Sequence, residues 1–187
     1  MLEELSLHIL DIAENSIAAG AHTIEISVDE DTADDTLVLS VSDDGRGIDE
    51  LKLARLGDPF VTSRTIRKAG FGIAFLKAAA EACDGSLTAS SAPDRGTCLT
   101  ARFRRSHIDR MPLGDLAGTI LTLVVSVPQV RWVFRYRFDD RTFAFDTEPI
   151  RRELEDVPLT EPSVLRFLKE LLEDGVRGVT APTSLRA

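Results

Sequence analysis

The chain has 187 residues, of which 43% are hydrophobic and 28% charged, an ordinary globular composition that excludes wholesale disorder. Thirty-one acidic residues against 22 basic ones give a net charge of −9, so a nucleic-acid partner is not expected. The start, Met1-Leu2-Glu3-Glu4, lacks a basic leader, and Leu116–Val127 is shorter than the roughly 20 apolar residues of a membrane span, so a cytoplasmic protein without a membrane partner is expected.

In chain order, Glu3 to Ala19 reads as a helix, with Ile9, Ile12, Ala13 and Ile17 near helical spacing and Gly20 as its stop. Thr23 to Val28 alternates as a strand through Ile24, Ile26 and Val28, and Leu37, Leu39 and Val41 do the same. The acidic run Asp29–Asp35 between them lacks the glycine and closing glutamate of a calcium loop and predicts a solvated hairpin tip. A short helix is expected over Asp49–Leu56. The polar stretch from Gly57 to Gly70 has the length of a mobile lid. A helix over Gly72–Ala82 and strands over Ser86–Ser91 and Thr97–Arg104 complete the first region.

Composition shifts near His107. Residues 1–106 carry 18 acids and 11 bases, and residues 107–187 carry 13 and 11. The second region predicts an apolar helix over Leu113–Val127 and a hairpin in which Trp132, Phe134, Tyr136 and Phe138 alternate with arginines. Stacking of bases on those aromatics is one use of such a pattern, but packing against helices accounts for it better. Two helices then start at Thr147-Glu148-Pro149 and Thr160-Glu161-Pro162, with threonine caps, and Gly175 is expected to close the last. Cys83 and Cys98 form no metal or redox pattern.

Three short pieces carry chemistry. Asp11 and Asn15 lie one helical turn apart, where a carboxylate and a carboxamide can orient water and a hydrated Mg2+. Asp43-x-Gly45-x-Gly47 follows a strand, where the carboxylate can accept from an exocyclic amine and the glycines allow a sharp turn beside a flat ligand. Gly70-Phe71-Gly72 opens a helix, whose free amides and dipole favour an anion.

Together with Gly96-Thr97, this ordered series resembles the GHKL ATPase superfamily, which includes gyrase, the ninety-kilodalton heat-shock chaperones, histidine kinases and MutL. Asp11–Ala21 looks most like the MutL version of the first motif, and Asp58–Arg64 like the segment before the lid of histidine kinases. The resemblance covers about residues 1–105. It implies a Bergerat-type fold: an α/β (α+β) sandwich with helices on one face of a mixed, mostly antiparallel sheet, here followed by a small C-terminal α/β region. The expected organisation is a nucleotide-binding domain over 1–106 and a partner- or self-interaction region over 107–187.

The resemblance further implies ATP and Mg2+ as ligands. Asn15 would hold Mg2+ through the phosphates, and Asp43 would read the adenine amine with support from Thr97. Gly45, Gly47 and Ile48 would line the base, and Gly70, Phe71 and Gly72 would carry phosphates with Arg64, Arg67 and Lys68. Where hydrolysing members usually carry Glu four residues before the asparagine, this chain has Asp11, which is one methylene shorter; it is the expected catalytic base. Glu14 faces another side of the helix. Histidine kinases carry a phosphoacceptor hairpin upstream, and none is expected here because the domain begins at residue 1. His8, three residues before Asp11, is too close to serve as acceptor and reads as a neighbour of the phosphates or a packed ring. As a whole the chain resembles stand-alone histidine-kinase-like ATP-binding proteins of anaerobic bacteria. The expected function is slow ATP hydrolysis in a nucleotide-controlled switch acting on a protein partner, with a homodimer as one assembly. A serine protein kinase of the anti-sigma type is the alternative, and a MutL-like DNA-repair ATPase a third reading disfavoured by the acidity.

Overall fold

The computed structural model describes residues 4–49, 53 and 71–181. The expected short helix over 49–56 and the stretch 57–70 lie outside them, apart from Asp49 and Leu53. The described elements run α1 (Leu5–Ala18), β1 (Thr23–Asp31), β2 (Thr36–Asp43), α2 (Phe71–Ala82), β3 (Ser86–Ser91), β4 (Thr97–Arg104), α3 (Leu116–Ser126), β5 (Arg131–Phe138), β6 (Arg141–Asp146), α4 (Thr147–Leu154) and α5 (Pro162–Thr180).

Helix α1 buries Leu5, Ile9, Ile12 and Ala13 at helical spacing. Its N-cap residue, Glu4, makes no side-chain cap. Two of the free N–H groups of its first turn go to distant chain instead: Leu5 N donates to Pro112 O and Ser6 N to Leu113 O, each at 2.9 Å. Those residues are therefore an extended strap on α1, and α3 starts later than the apolar run suggests, at Leu116. There Asp115 caps it by accepting from Gly118 N at 2.8 Å.

Six strands form one mixed sheet in the order β3-β4-β2-β1-β5-β6. All neighbours are antiparallel except β1 and β5, which run parallel with Ile24 beside Trp132 and Val28 beside Tyr136. One face is apolar and covered by the helices: Ile24, Ile26 and Val28 of β1, Leu37, Leu39 and Val41 of β2, Leu99, Ala101 and Phe103 of β4, and Trp132, Phe134 and Tyr136 of β5 are all buried. Helix α1 lies over β1 and β2, α2 over β3 and β4, and α5 over β5 and β6, with α3 wedged between α1 and α5. The aromatic hairpin thus turns its rings inward and leaves Arg131 and Arg135 exposed.

Three local expectations are corrected by packing. Gly175 does not end a helix, because α5 continues through it to Thr180. A Cβ there would stand 2.2 Å from the Phe143 ring, so the glycine serves close approach of the helix to β6. The helix caps are Asp146 and Glu161 rather than Thr147 and Thr160. Asp146 accepts from Glu148 N at 2.9 Å and Glu161 from Ser163 N at 2.6 Å, while buried Thr147 accepts from Trp132 N at 2.9 Å. The acidic tip is not uniformly solvated either. Glu30 is 5% exposed, accepting from Tyr136 Oη at 2.7 Å and from Arg105 Nε at 2.9 Å. This pairing offsets the cost of burying its charge.

Candidate functional site

The end of β2 and the C-terminal half of α1 meet at Asp43. Its carboxylate accepts from Ser16 Oγ at 2.7 Å through Oδ2 and from Gly45 N at 2.9 Å through Oδ1. Ser16 is 4% exposed and sits one residue after Asn15, so α1 itself orients the carboxylate. The neighbouring Asp44 faces the other way, accepting from His22 N at 2.7 Å and Thr23 N at 2.9 Å. Partial burial pushes the Asp44 carboxyl up, but these two backbone bonds outweigh it and hold the group below its ordinary range. Two adjacent aspartates therefore divide the work: Asp44 anchors the turn, and Asp43 faces the helix.

Around Asp43 the backbone approaches closely. Gly96, at φ +75°, has no room for a side chain, since a Cβ would lie 1.7 Å from Asp43 O. Gly47, at φ +66°, stands against the Ala92 carbonyl in the same way. Thr97 lies directly across from Asp43 in the β2–β4 register. Ser91 joins these pieces, because its Oγ accepts from Ile48 N at 2.8 Å, donates to Gly96 O at 2.8 Å and lies 3.0 Å from Thr97 Oγ1. Gly45 packs on Ala19 at the end of α1.

The second half of the site lies about 7.5 Å along α1, at roughly 1.5 Å per residue from Ser16 back to Asp11. A Cβ at Gly72 would stand 2.2 Å from Asp11 Oδ2, so the first turn of α2 touches this carboxylate. Asp11 and Asn15 are both half-buried on one face, whereas Glu14 is exposed. Phe71 is the first residue of α2. Arg64, Arg67, Lys68 and Gly70 lie outside the described residues.

Of the residues singled out from the sequence, Asp43, Gly45, Gly47, Ile48 and Thr97 come together at one end and Asp11 and Gly72 at the other, with Asn15 on α1 between them. Ser16 and Ser91 were missed. Ser16 had a weak signal, adjacency to Asn15, but Ser91 had none, because only strand register brings it beside Ile48 and Thr97.

Residues 1–107 match the family model for the histidine kinase-, DNA gyrase B-, and HSP90-like ATPase. The chain belongs to this family. Membership implies ATP binding. The chain is also similar to the sensor protein kinase FleS of Pseudomonas aeruginosa, 45% identical over 92 residues, which are 49% of this chain and 23% of that protein. It is 32% identical over 119 residues to the non-motile and phage-resistance protein of Caulobacter vibrioides, covering 59% of this chain and 14% of that one. The chain thus spans less than a quarter of the length of these curated relatives. Among the described residues, no helix is long and apolar enough to cross a membrane.

Proposed function

We propose that the chain binds Mg-ATP along α1, hydrolyses it slowly, and uses the nucleotide state to signal to a protein partner. The observation that carries this reading is the double engagement of Asp43. Ser16 and Gly45 donate to its two oxygens and hold the carboxylate in one orientation, as a reader of an exocyclic amine requires. The close backbone approaches at Gly47 and Gly96 suit a flat base beside it.

The residues present fit a magnesium triphosphate. Asn15 supplies one neutral oxygen, and an ion that keeps most of its ligands from phosphate and water needs little more from the protein. Bound there, Mg2+ would neutralise phosphate charge. The free N–H groups of the N-terminal turn of α2 would suit an anion. Asp11, which touches that turn at Gly72, would take the proton of an attacking water. A hydroxyl of a partner protein in the same place would receive the phosphate instead, and the similarity to a sensor protein kinase supports testing for it. Signal transfer has a route in the strap, since Pro112 and Leu113 bind the first turn of α1 directly. Residues 107–187 are accordingly proposed as the reporting surface.

The test is a calorimetric titration of ATP with and without Mg2+, with Asn15→Ala as control. ATP binding that weakens without Mg2+, and in the variant even with Mg2+, is expected. Failure of the wild type to bind ATP or ADP sinks the proposal. Incubation with labelled ATP then separates released phosphate from labelled protein.

A further inference from the structure

The helix-covered face of the sheet changes character at one end. Across β3, β4 and β2 its cross-strand rows are apolar, first Leu87, Ala101 and Leu39, then Ala89, Leu99 and Val41. The next row is Ser91, Thr97 and Asp43, three polar side chains in register where the core would otherwise continue. Residues directly opposite one another share a face, so two hydroxyls line up beside the carboxylate assigned to the base.

The bonds of Ser91 use its hydroxyl completely. A serine hydroxyl has one proton to donate and two lone pairs to accept with. The proton goes to Gly96 O at 2.8 Å, an atom that can only accept. One lone pair takes the Ile48 N–H at 2.8 Å. At the third contact, 3.0 Å from Thr97 Oγ1, Ser91 has only a lone pair left, so Thr97 is the donor. A threonine hydroxyl also carries a single proton, and Ser91 takes it. Thr97 Oγ1 therefore has only lone pairs to offer a ligand. The Asp43 carboxylate beside it accepts from Ser16 Oγ and Gly45 N and, like any carboxylate, donates nothing.

We propose that Ser91 is a positioning residue that sets base specificity: by taking the Thr97 proton it makes that hydroxyl a fixed acceptor beside Asp43, so the base end of the site admits an exocyclic amine and rejects a carbonyl oxygen in the same place. A 6-aminopurine brings N–H donors to these acceptors. A 6-oxopurine sets an oxygen against lone pairs, and leaving such polar groups unpaired is what discriminates strongly between close analogues. The selectivity rests on the nucleotide-binding reading of the site, whereas the direction of the Thr97 proton does not.

The experiment measures calorimetric Kd values in the full chain for ADP and for IDP, which carries a carbonyl where ADP carries the amine. Wild type is expected to prefer ADP by at least about 100-fold. In Ser91→Ala the Thr97 proton is free to meet a carbonyl, and the preference should shrink about tenfold, whereas Ser91→Thr keeps the hydroxyl and the preference. In a Thr97→Val background Ser91→Ala should change the preference no further, because its effect passes through the Thr97 hydroxyl. An equal loss of ADP and IDP affinity in Ser91→Ala overturns the proposal, because it marks a residue that only holds the loop. An undiminished effect of Ser91→Ala on the preference in the Thr97→Val background overturns it as well. Neutron diffraction from nucleotide-free, deuterium-exchanged crystals reads the proton directly. A Thr97 deuteron directed at Ser91 Oγ is expected, and one directed toward Asp43 refutes the assignment. Failure of the wild type to bind ADP or IDP sinks the nucleotide reading and the selectivity with it, even where the deuteron lies as expected.

Discussion

Replacement of Gly72 by alanine separates the stability of α2 from the chemistry assigned to Asp11. The added Cβ would stand 2.2 Å from Asp11 Oδ2, where ordinary contact begins near 3.4 Å, so the carboxylate must retreat by more than an ångström. Asp11 is half-buried and its oxygen is the far end of a side chain, so it can rotate away at little cost. Gly72 is the second residue of α2, where alanine is preferred by at most the about 0.5–1 kcal/mol of a helix interior. Thermal unfolding should therefore show a protein as stable as wild type or slightly more so. Displacement of a catalytic group by about 1 Å costs on the order of 100-fold in turnover. Phosphate release from saturating ATP should fall by about that factor, while ADP affinity changes little because the Asp43 end is untouched. Wild-type turnover in Gly72→Ala would refute the placement of Asp11 at the reacting phosphate. A large loss of stability would refute the inference that only the carboxylate tip has to move.

Ser16→Ala removes the hydroxyl that donates to Asp43 Oδ2 at 2.7 Å, and about tenfold weaker ATP binding is expected by calorimetry, from the ~1.5 kcal/mol of a bond to a charged group. Unaltered affinity would mean that Gly45 N alone orients the carboxylate. Tyr136→Phe takes from buried Glu30 its bond to Oη and should lower unfolding free energy by about 1–3 kcal/mol in urea titrations; no measurable change would show that the paired Arg105 suffices. With pH, two stages are expected. Burial lowers the folded-state pKa of His8 from 6.5, so the unfolded chain takes up a proton first and stability declines as pH falls through about 6.5. Asp44 and Asp146 are held below the usual carboxylate value of 3.8, so their contribution is present above it and is lost as pH drops further through the folded values. Urea midpoints measured from pH 8 to 3 should show both stages in wild type and only the second in His8→Gln; a flat profile between pH 8 and 5 would contradict the assignment.

The alternation in β1, β2 and β5 and the helical spacing in α1 and α2 are local patterns, and the elements formed close to where those patterns place them. The glycine and aspartate motifs were likewise legible, because the turns and close approaches they make have few alternatives among residue types. Partner choice over long distance was not. Glu30 and Tyr136 are 106 residues apart, and only the parallel pairing of β5 with β1 turns an acidic hairpin residue into a buried, bonded one. Gly175 had the composition of a helix stop, yet it is a helix interior because a phenylalanine ring from β6 occupies the space its side chain would need. Register alone brings Ser91 to Ile48 and Thr97, and the separate hydrogen-bond partners of Asp43 and Asp44 distinguish two neighbours that read alike. Local chemistry by itself determined the family motifs and most of the elements that carry them. Tertiary packing decided which side chains hold those motifs in place, because a hydrogen bond or a close contact is a property of two positions that the order of residues does not bring together.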